Sequence, residues 1–285
     1  MWPYLFDVIR ELKKHSIVVY IVTNGLLLKD FVDEILSAEV DFIVVSIDSD
    51  TATEHDDVRQ LPGLYEKAIE GVNELKRRRK DGKPLIKSTT VVSAQNIHKL
   101  EDILNHLNKL VDETSFQPVV ADYSDHPHNR NNKQLGKFLF AENMQAAVKA
   151  RLDNLIEDNP GFNKSYFKLI PRYWFNPEKL VKSIKCWSPF LRLQILPNGD
   201  TRQCTVRSNY SATGNLNKTS IMDAWNSQEM LRQREEIRTH KNGCICWAQD
   251  TAFNAAIDSL GIPNFLPVLN RNPLKRTPGP EIDDA

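Results

Sequence analysis

Hydrophobic and polar positions along the first 123 residues switch repeatedly between two periods. Leu5, Val8, Ile9 and Leu12 recur at helical spacing, and the unbroken run IVVYIVTNG (17–25) follows them. A β-branched run bounded by a turn predicts a strand buried on both faces, as a parallel sheet requires. The alternation then repeats. FVDEILSAE (31–39) predicts a helix and DFIVVSIDSD (41–50) a second buried strand. Tyr65, Ala68, Ile69, Val72 and Leu75 make a helix face closed by the solvated run KRRRKDGKP (76–84). IKSTTVVSA (86–94) predicts a third strand, Leu100, Ile103, Leu104, Leu107 and Val111 a further helix, and FQPVVADY (116–123) a fourth strand. Strands alternating with helices in this way imply βαβ units and a parallel α/β sheet. No strand precedes the first helix, so the strand at 17–25 is expected at an exposed sheet edge.

The pattern loosens after residue 123. SDHPHNRNNKQLGK (124–137) has no apolar period and reads as a loop or boundary. AENMQAAVKARLDNLIED (141–158) predicts a helix, and the aromatic-rich FKLIPRYWFNPEKLVKSI (167–184) is expected to pack a bridging segment onto the first domain. LRLQILPNGDTRQC (191–204) reads as strand, Pro-Asn-Gly-Asp turn, strand. IMDAWNSQEMLRQREEIRTH (221–240) predicts one helix, and the Pro-rich end is expected to be disordered. The boundaries expected are therefore 1–123, a bridging region 124–180, a cysteine-rich lobe 181–262 and a tail 263–285.

Composition narrows the class. The 285 residues suit one large domain and one small one. Thirty-seven basic residues balance thirty-seven acidic ones, which argues against nucleic acid or an anionic membrane as the main partner. No apolar run approaches the ~20 residues that span a bilayer. MWPYLFDVIRELKK, with its early Asp7, lacks the layout of a signal peptide, so a cytoplasmic location is expected.

All four cysteines fall in the last hundred residues: Cys186, Cys204, Cys244 and Cys246. The first two are separated by twelve residues, Gly199 and four more; the last two form C-I-C. A hairpin over 191–204 brings Cys186 and Cys204 to one end, and the Gly243-Cys244-Ile245-Cys246 segment can add two thiols there. Four thiolates suit a [4Fe–4S] cluster or a tetrahedral zinc ion. A reducing cytosol argues against disulfides, and buried free cysteines are the bland alternative. The C-x-C spacing is tighter than the C-x-x-C of most zinc ribbons, which favours a cluster.

Parallel sheets bind ligands at the carboxyl ends of their strands. Those ends read Thr23-Asn24-Gly25, Ser46-Ile47-Asp48, Ser93-Ala94-Gln95-Asn96 and Ala121-Asp122-Tyr123. Each alone is an ordinary turn or cap; together they mark the expected ligand face. Glu54, His55, Asp56 and Arg59 gather charge in what reads as a short loop, either a clamp for a charged small molecule or a solvated loop. His126 and His128 have no third partner and read as exposed polar residues. No glycine-rich phosphate loop, G-x-S-x-G elbow or H-E-x-x-H helix is present.

Taken in order, these segments resemble the radical S-adenosylmethionine (SAM) superfamily, in its members with a C-terminal SPASM or twitch cluster domain. IVTNG (21–25) resembles the family's third barrel strand. SIDSDTATEHDDVRQLPG (46–63) resembles its fourth-strand segment, with H-D-x-x-R and then P-G. VVSAQNIHKL (91–100) resembles the fifth strand and its following Asn. The Cys186-to-Cys204 spacing, GNL (214–216), Asp223-Ala224-Trp225-Asn226 and a cysteine pair resemble the auxiliary-cluster domain. The resemblance implies an incomplete parallel (β/α)6 partial barrel lacking its first strands, with a small C-terminal iron–sulfur lobe. It implies that Ser46 and Asp48, with Arg59, contact SAM, and that the four cysteines ligate an auxiliary [4Fe–4S] cluster.

In the full family pattern a C-x3-C-x2-C motif holds the cluster that cleaves SAM to a 5′-deoxyadenosyl radical for hydrogen abstraction. No cysteine precedes Cys186 here, and the G-G-E-P segment is absent. The chain therefore reads as a truncated or mis-started family member, inactive alone, with a split enzyme completed by a second polypeptide as a variant. The implied partners are a substrate drawn from peptides, sugars, lipids or cofactors, a peptide being the one carried forward, and an electron donor such as a flavodoxin or ferredoxin. A non-catalytic four-cysteine iron–sulfur or zinc module is the competing reading.

Overall fold

The computed structural model describes residues 2–119, 135–158, 164–176, 179, 186, 188–204 and 211–238. The chain divides into two compact units, residues 1–119 with 134–162, and residues 120–133 with 163–285.

The first unit runs α1 (Leu5–Lys14), β1 (Tyr20–Thr23), α2 (Val32–Ser37), β2 (Phe42–Ser46), α3 (Ala52–Arg59), α4 (Leu64–Arg78), β3 (Leu85–Val92), α5 (Leu100–Leu110), β4 (Glu113–Pro118) and α6 (Gln145–Asp158). Its four strands are all parallel, in the order β1-β2-β3-β4. Sequential strand order with right-handed crossovers puts the connecting helices on one face of the sheet. Ile43 and Val45 of β2, Ile86 and Val92 of β3 and Phe116 of β4 are buried on that face, in one core with Ala68, Val72 and Leu75 of α4 and Leu100, Ile103 and Leu107 of α5.

The other face departs from the sequence reading. The apolar runs predicted strands buried on both sides, yet Phe42, Val44, Lys87 and Val91 on the second face are only half-buried. A pleated strand sends alternate side chains to opposite faces, and helices cover one of them. β1 is an edge strand, with Tyr20 55% and Val22 65% exposed. The second face is held laterally instead: Tyr20 stacks on Phe42 with ring centroids 4.3 Å apart, and Lys87 pairs with Glu113 at 2.6 Å across β3 and β4.

Asp41 anchors the lower edge. Its Oδ2 accepts from Lys13 Nζ at 2.6 Å and from the Val19 N–H at 2.8 Å, tying α1, the approach to β1 and the start of β2 together. Burial pushes the Asp41 carboxyl up, but those donors outweigh it and hold the group below its ordinary range.

The second unit contains α7 (Lys164–Phe175), α8 (Ser188–Leu191), β5 (Gln194–Ile195), β6 (Asp200–Arg202), β7 (Gly214–Asn215), α9 (Ile221–Trp225) and α10 (Gln228–Arg238). The hairpin expected over 191–204 forms as β5 and β6, and β7 adds a third antiparallel strand that the pattern did not show. Its turn is closed by Gly199 N–H to Leu196 C=O at 2.8 Å, with Gly199 left-handed at φ 85°. Asn215 of β7 reaches the turn through Nδ2, donating to Asp200 Oδ1 at 2.8 Å and to the Asn198 carbonyl at 3.2 Å. The single helix expected over 221–240 is two. The break falls at Asn226-Ser227, where Ser227 Oγ accepts the Met230 N–H at 3.1 Å and caps the second helix.

Gly25 ends β1 at φ 88°, and a Cβ there would lie 2.5 Å from Ala68 Cβ of α4. Positive φ and this close approach both require glycine. Gly25→Ala is expected to destabilise the first unit by about 2–4 kcal/mol, from backbone strain plus overpacking. A urea midpoint equal to wild type would contradict that close approach.

Candidate functional site

Parallel register sets Ser46 beside Thr89 and carries the chain past β2 and β3 at the same end of the sheet. There a cavity of about 530 Å³ opens, lined by Asp48, Ser49, Glu54, Asp57, Arg59, Ser93, Gln95 and Asn96 on its polar side and by Val58, Val91, Val119 and Phe138 on its apolar side. That volume lies within the range of small-molecule sites.

Asp48 is the centre of the arrangement, only 3% exposed. Its Oδ1 accepts from the Val91 N–H at 2.9 Å, and its Oδ2 lies 2.7 Å from Arg59 Nε, an ionic contact rather than an aligned hydrogen bond. Its main chain is bound as well: the N–H donates to His55 Nδ1 at 3.1 Å, and the carbonyl accepts from Asn96 Nδ2 at 3.2 Å. Asn96 also donates to the Val91 carbonyl at 2.8 Å, while its Oδ1 accepts from the Ser93 N–H at 2.9 Å. β2, β3 and the turn after β3 are thus joined through one acid and one amide.

The segment that read as a charged loop contains a helix, α3, and this corrects the sequence reading. His55, Asp56 and Arg59 sit on that helix with separate tasks. His55 is fully buried and holds the Asp48 N–H. Asp56 accepts from the Gly63 N–H at 2.6 Å and the Tyr65 N–H at 2.9 Å, capping α4 from the preceding helix. Gly63, at φ 77°, is the turn that makes this possible. Arg59 returns to Asp48. Weak apolar character hid α3, since His55 is its one buried side chain.

Around the rim, Lys99 pairs with Asp50 at 2.7 Å and with Glu54, which also accepts from Ser49. Burial pushes the Asp50 carboxyl up, but Lys99 more than offsets it and Asp50 lies below its ordinary range; Lys99 and Ser49 hold Glu54 below its own. Burial pulls His55 below its ordinary value and keeps it neutral.

The strand-end residues divide. Asp48, Ser93, Gln95 and Asn96 line the cavity, as do Glu54 and Arg59. Ser46 lies on the half-open sheet face and is not among the lining residues. Thr23 and Asn24 serve the turn, where Thr23 Oγ1 accepts the Gly25 N–H at 3.0 Å and Asn24 Oδ1 the Leu26 N–H at 3.1 Å. Ala121, Asp122, Tyr123, His126, His128, Cys244 and Cys246 lie outside the described residues. Phe138 was missed: it comes from a 3-10 turn, Leu135–Phe138, beyond a stretch without periodicity, and it reaches the cavity because its carbonyl accepts the Ala94 N–H at 2.9 Å.

In the second unit Cys186 and Cys204 are both half-buried. They are two of the four thiols that a cluster requires, and no group of three metal-binding side chains forms among the described residues. The sequence motifs beyond Cys204 have structural work. A Cβ on Gly214 would lie 2.7 Å from Ala224 Cβ, so G-N-L and D-A-W-N pack through a glycine–alanine contact. Ser220 Oγ accepts the Asp223 N–H at 3.1 Å and caps α9.

Stability is expected to fall as pH drops below 6.5, the ordinary value of His55, because the unfolded chain then takes up a proton that the folded chain refuses. A further loss is expected below the ordinary values of 4.5 for Glu54 and 3.8 for Asp50, whose depressed values favour folding only while they are ionised. In His55→Gln the amide oxygen can still accept the Asp48 N–H but does not titrate, so the upper part of the slope should flatten in pH-dependent urea unfolding. An unchanged slope would remove His55 from this role.

Residues 186–248, which contain all four cysteines, match the SPASM iron–sulfur cluster-binding domain. Over 99 residues the chain is 33% identical to an AdoMet-dependent heme synthase of Methanosarcina barkeri (strain Fusaro / DSM 804), covering 34% of this chain and 27% of that protein. The chain thus spans about a quarter of the curated relative it matches. Native anSMEcpe with bound AdoMet and Cp18Cys peptide superposes with a TM-score of 0.56 at 11% identity, over 95% of this chain and 82% of that one. Native anSMEcpe with bound AdoMet gives 0.53 at 13% identity, over 94% and 80%. At such identities the likeness establishes the fold, an α/β unit with a four-strand parallel sheet. Residues 186–248 therefore match an iron–sulfur cluster-binding domain, and the chain shares the fold of these solved structures.

Proposed function

We propose that this chain is the SAM-binding and auxiliary-cluster portion of a radical SAM/SPASM enzyme, and that by itself it does not cleave SAM. The observation that carries the first part is the cavity at the strand ends. It pairs a carboxylate and a guanidinium, Asp48 and Arg59, with an apolar wall of Val91, Val119 and Phe138. SAM has matching halves: a charged amino-acid end and an adenosyl ring. Opposite charges at one end and a desolvated wall at the other would orient it. Bound SAM, when reductively cleaved, supplies a radical that abstracts hydrogen from a substrate; a peptide is the substrate class proposed here.

The second part rests on the absence of cysteine from residues 1–185, which leaves no thiolate in the first unit to hold a SAM-cleaving cluster. The same absence favours a competing reading, a non-catalytic metal or electron-transfer module. Cys186, Cys204, Cys244 and Cys246 would hold the auxiliary cluster, with a flavodoxin or ferredoxin as electron donor. Among the described residues no helix is long and apolar enough to cross a membrane.

Calorimetric titration of the 285-residue chain with SAM is expected to show binding that Arg59→Ala weakens at least tenfold, about 1.4 kcal/mol. Equal affinity in the two proteins would sink the proposed site. Release of 5′-deoxyadenosine from the iron-reconstituted chain would overturn its inactivity. Anaerobic reconstitution should give a brown protein, and Cys204→Ser should lose iron and destabilise the second unit, because bound metal is folding free energy. A colourless zinc-loaded wild type would replace the cluster by a zinc site.

A further inference from the structure

The second unit buries an arginine against aromatic rings. Arg234 of α10 is 7% exposed. Its guanidinium carbon lies 4.2 Å from the Trp225 ring centroid and 5.8 Å from that of Phe190. Its Nε donates to the Pro189 carbonyl at 2.9 Å. Its Nη2 is buried with no acceptor among the described residues. Burial alone pulls the group below its ordinary value, and no carboxylate among those residues offsets the effect.

A guanidinium remains charged under any condition a protein experiences. A buried ion is costly to desolvate, and stacking on aromatic faces returns only part of that cost. An anion close by would offset the remainder.

The position of Arg234 in the chain points to one. Pro189 is three residues beyond Cys186. The neighbouring Gln233, fully buried, accepts a hydrogen bond from Gln203, the residue before Cys204. Consecutive residues of α10 therefore hold both cysteine-bearing segments. Four thiolates around an iron–sulfur cluster leave a net negative charge, which grows on reduction.

We propose that Arg234 is the counter-charge of the cluster bound by this cysteine set and that it raises the cluster's reduction potential by favouring the more negative, reduced form. This rests on the reading of residues 186–248 as a cluster-binding domain. Hydrogen bonds and charge around the sulfurs are among the levers that set such potentials.

The test is an EPR-monitored redox titration of the full chain, reconstituted anaerobically with iron and sulfide, as wild type, Arg234→Met and Arg234→Lys. Arg234→Met keeps apolar packing and removes the charge; its midpoint should move to a more negative value at unchanged iron content. Arg234→Lys should return the midpoint close to wild type. An iron-loaded Arg234→Met with an unshifted midpoint overturns the proposal. Should Arg234→Met retain no iron, Arg234→Lys decides: iron loading with a midpoint near wild type supports a role for charge. Loss of iron as complete as in Arg234→Met overturns that role in favour of guanidinium shape. A wild-type chain that takes up no iron defeats the cluster reading itself, an outcome distinct from a failure of Arg234.

Discussion

Asp48 is a buried carboxylate whose every polar atom is committed, and the geometry of the cavity end of the first unit depends on it. One oxygen holds the backbone of β3 at Val91, the other the Arg59 side chain, and its peptide group is fixed by His55 and Asn96. Uncompensated, such a charge in the interior would be costly. Compensated from three elements at once, it becomes a node that joins β2, α3 and the turn after β3. Breaking a buried pair of this kind by removing one partner typically costs ~3–5 kcal/mol, because the remaining charge is stranded. The cavity beside it is accordingly a preformed site whose walls are held by the fold.

This arrangement divides labour among residues that look alike in a charged sequence. Within H-D-x-x-R, the histidine holds a backbone N–H and the aspartate caps the next helix, while Asp57, Val58 and the arginine reach the cavity wall. The motif is therefore largely a device for turning the chain sharply from β2 into α4. The chemistry that it leaves available is the paired charge of Asp48 and Arg59 beside an apolar wall.

The second unit solves a different problem. Its short hairpin is held through side-chain amides, with Asn215 bridging to the turn and Gln233 bridging to the end of β6. Small units with limited cores commonly rely on bound metal for part of their stability.

Much was legible in the sequence, and for local reasons. The periods of two and of three to four residues located the four parallel strands of the first unit and the long helices, because burying one stripe of a helix or strand leaves its mark on the residues of that element alone. The polar strand ends beside the cavity, the hairpin turn at Gly199 and the gathering of cysteines beyond residue 185 were visible in the sequence as well. The helix α3 was hidden because its single buried side chain is a histidine, and the open second face of the sheet because a β-branched run looks the same whether one face or two are covered. What only the tertiary structure decided is which distant residues meet. Val91 and Asn96 come to Asp48 through parallel register, Phe138 through one backbone hydrogen bond, and Arg234 to the cysteine segments through the docking of a helix. None of these leaves a periodic trace, since each depends on a contact between positions far apart in the chain and not on the partition of a single element between core and water.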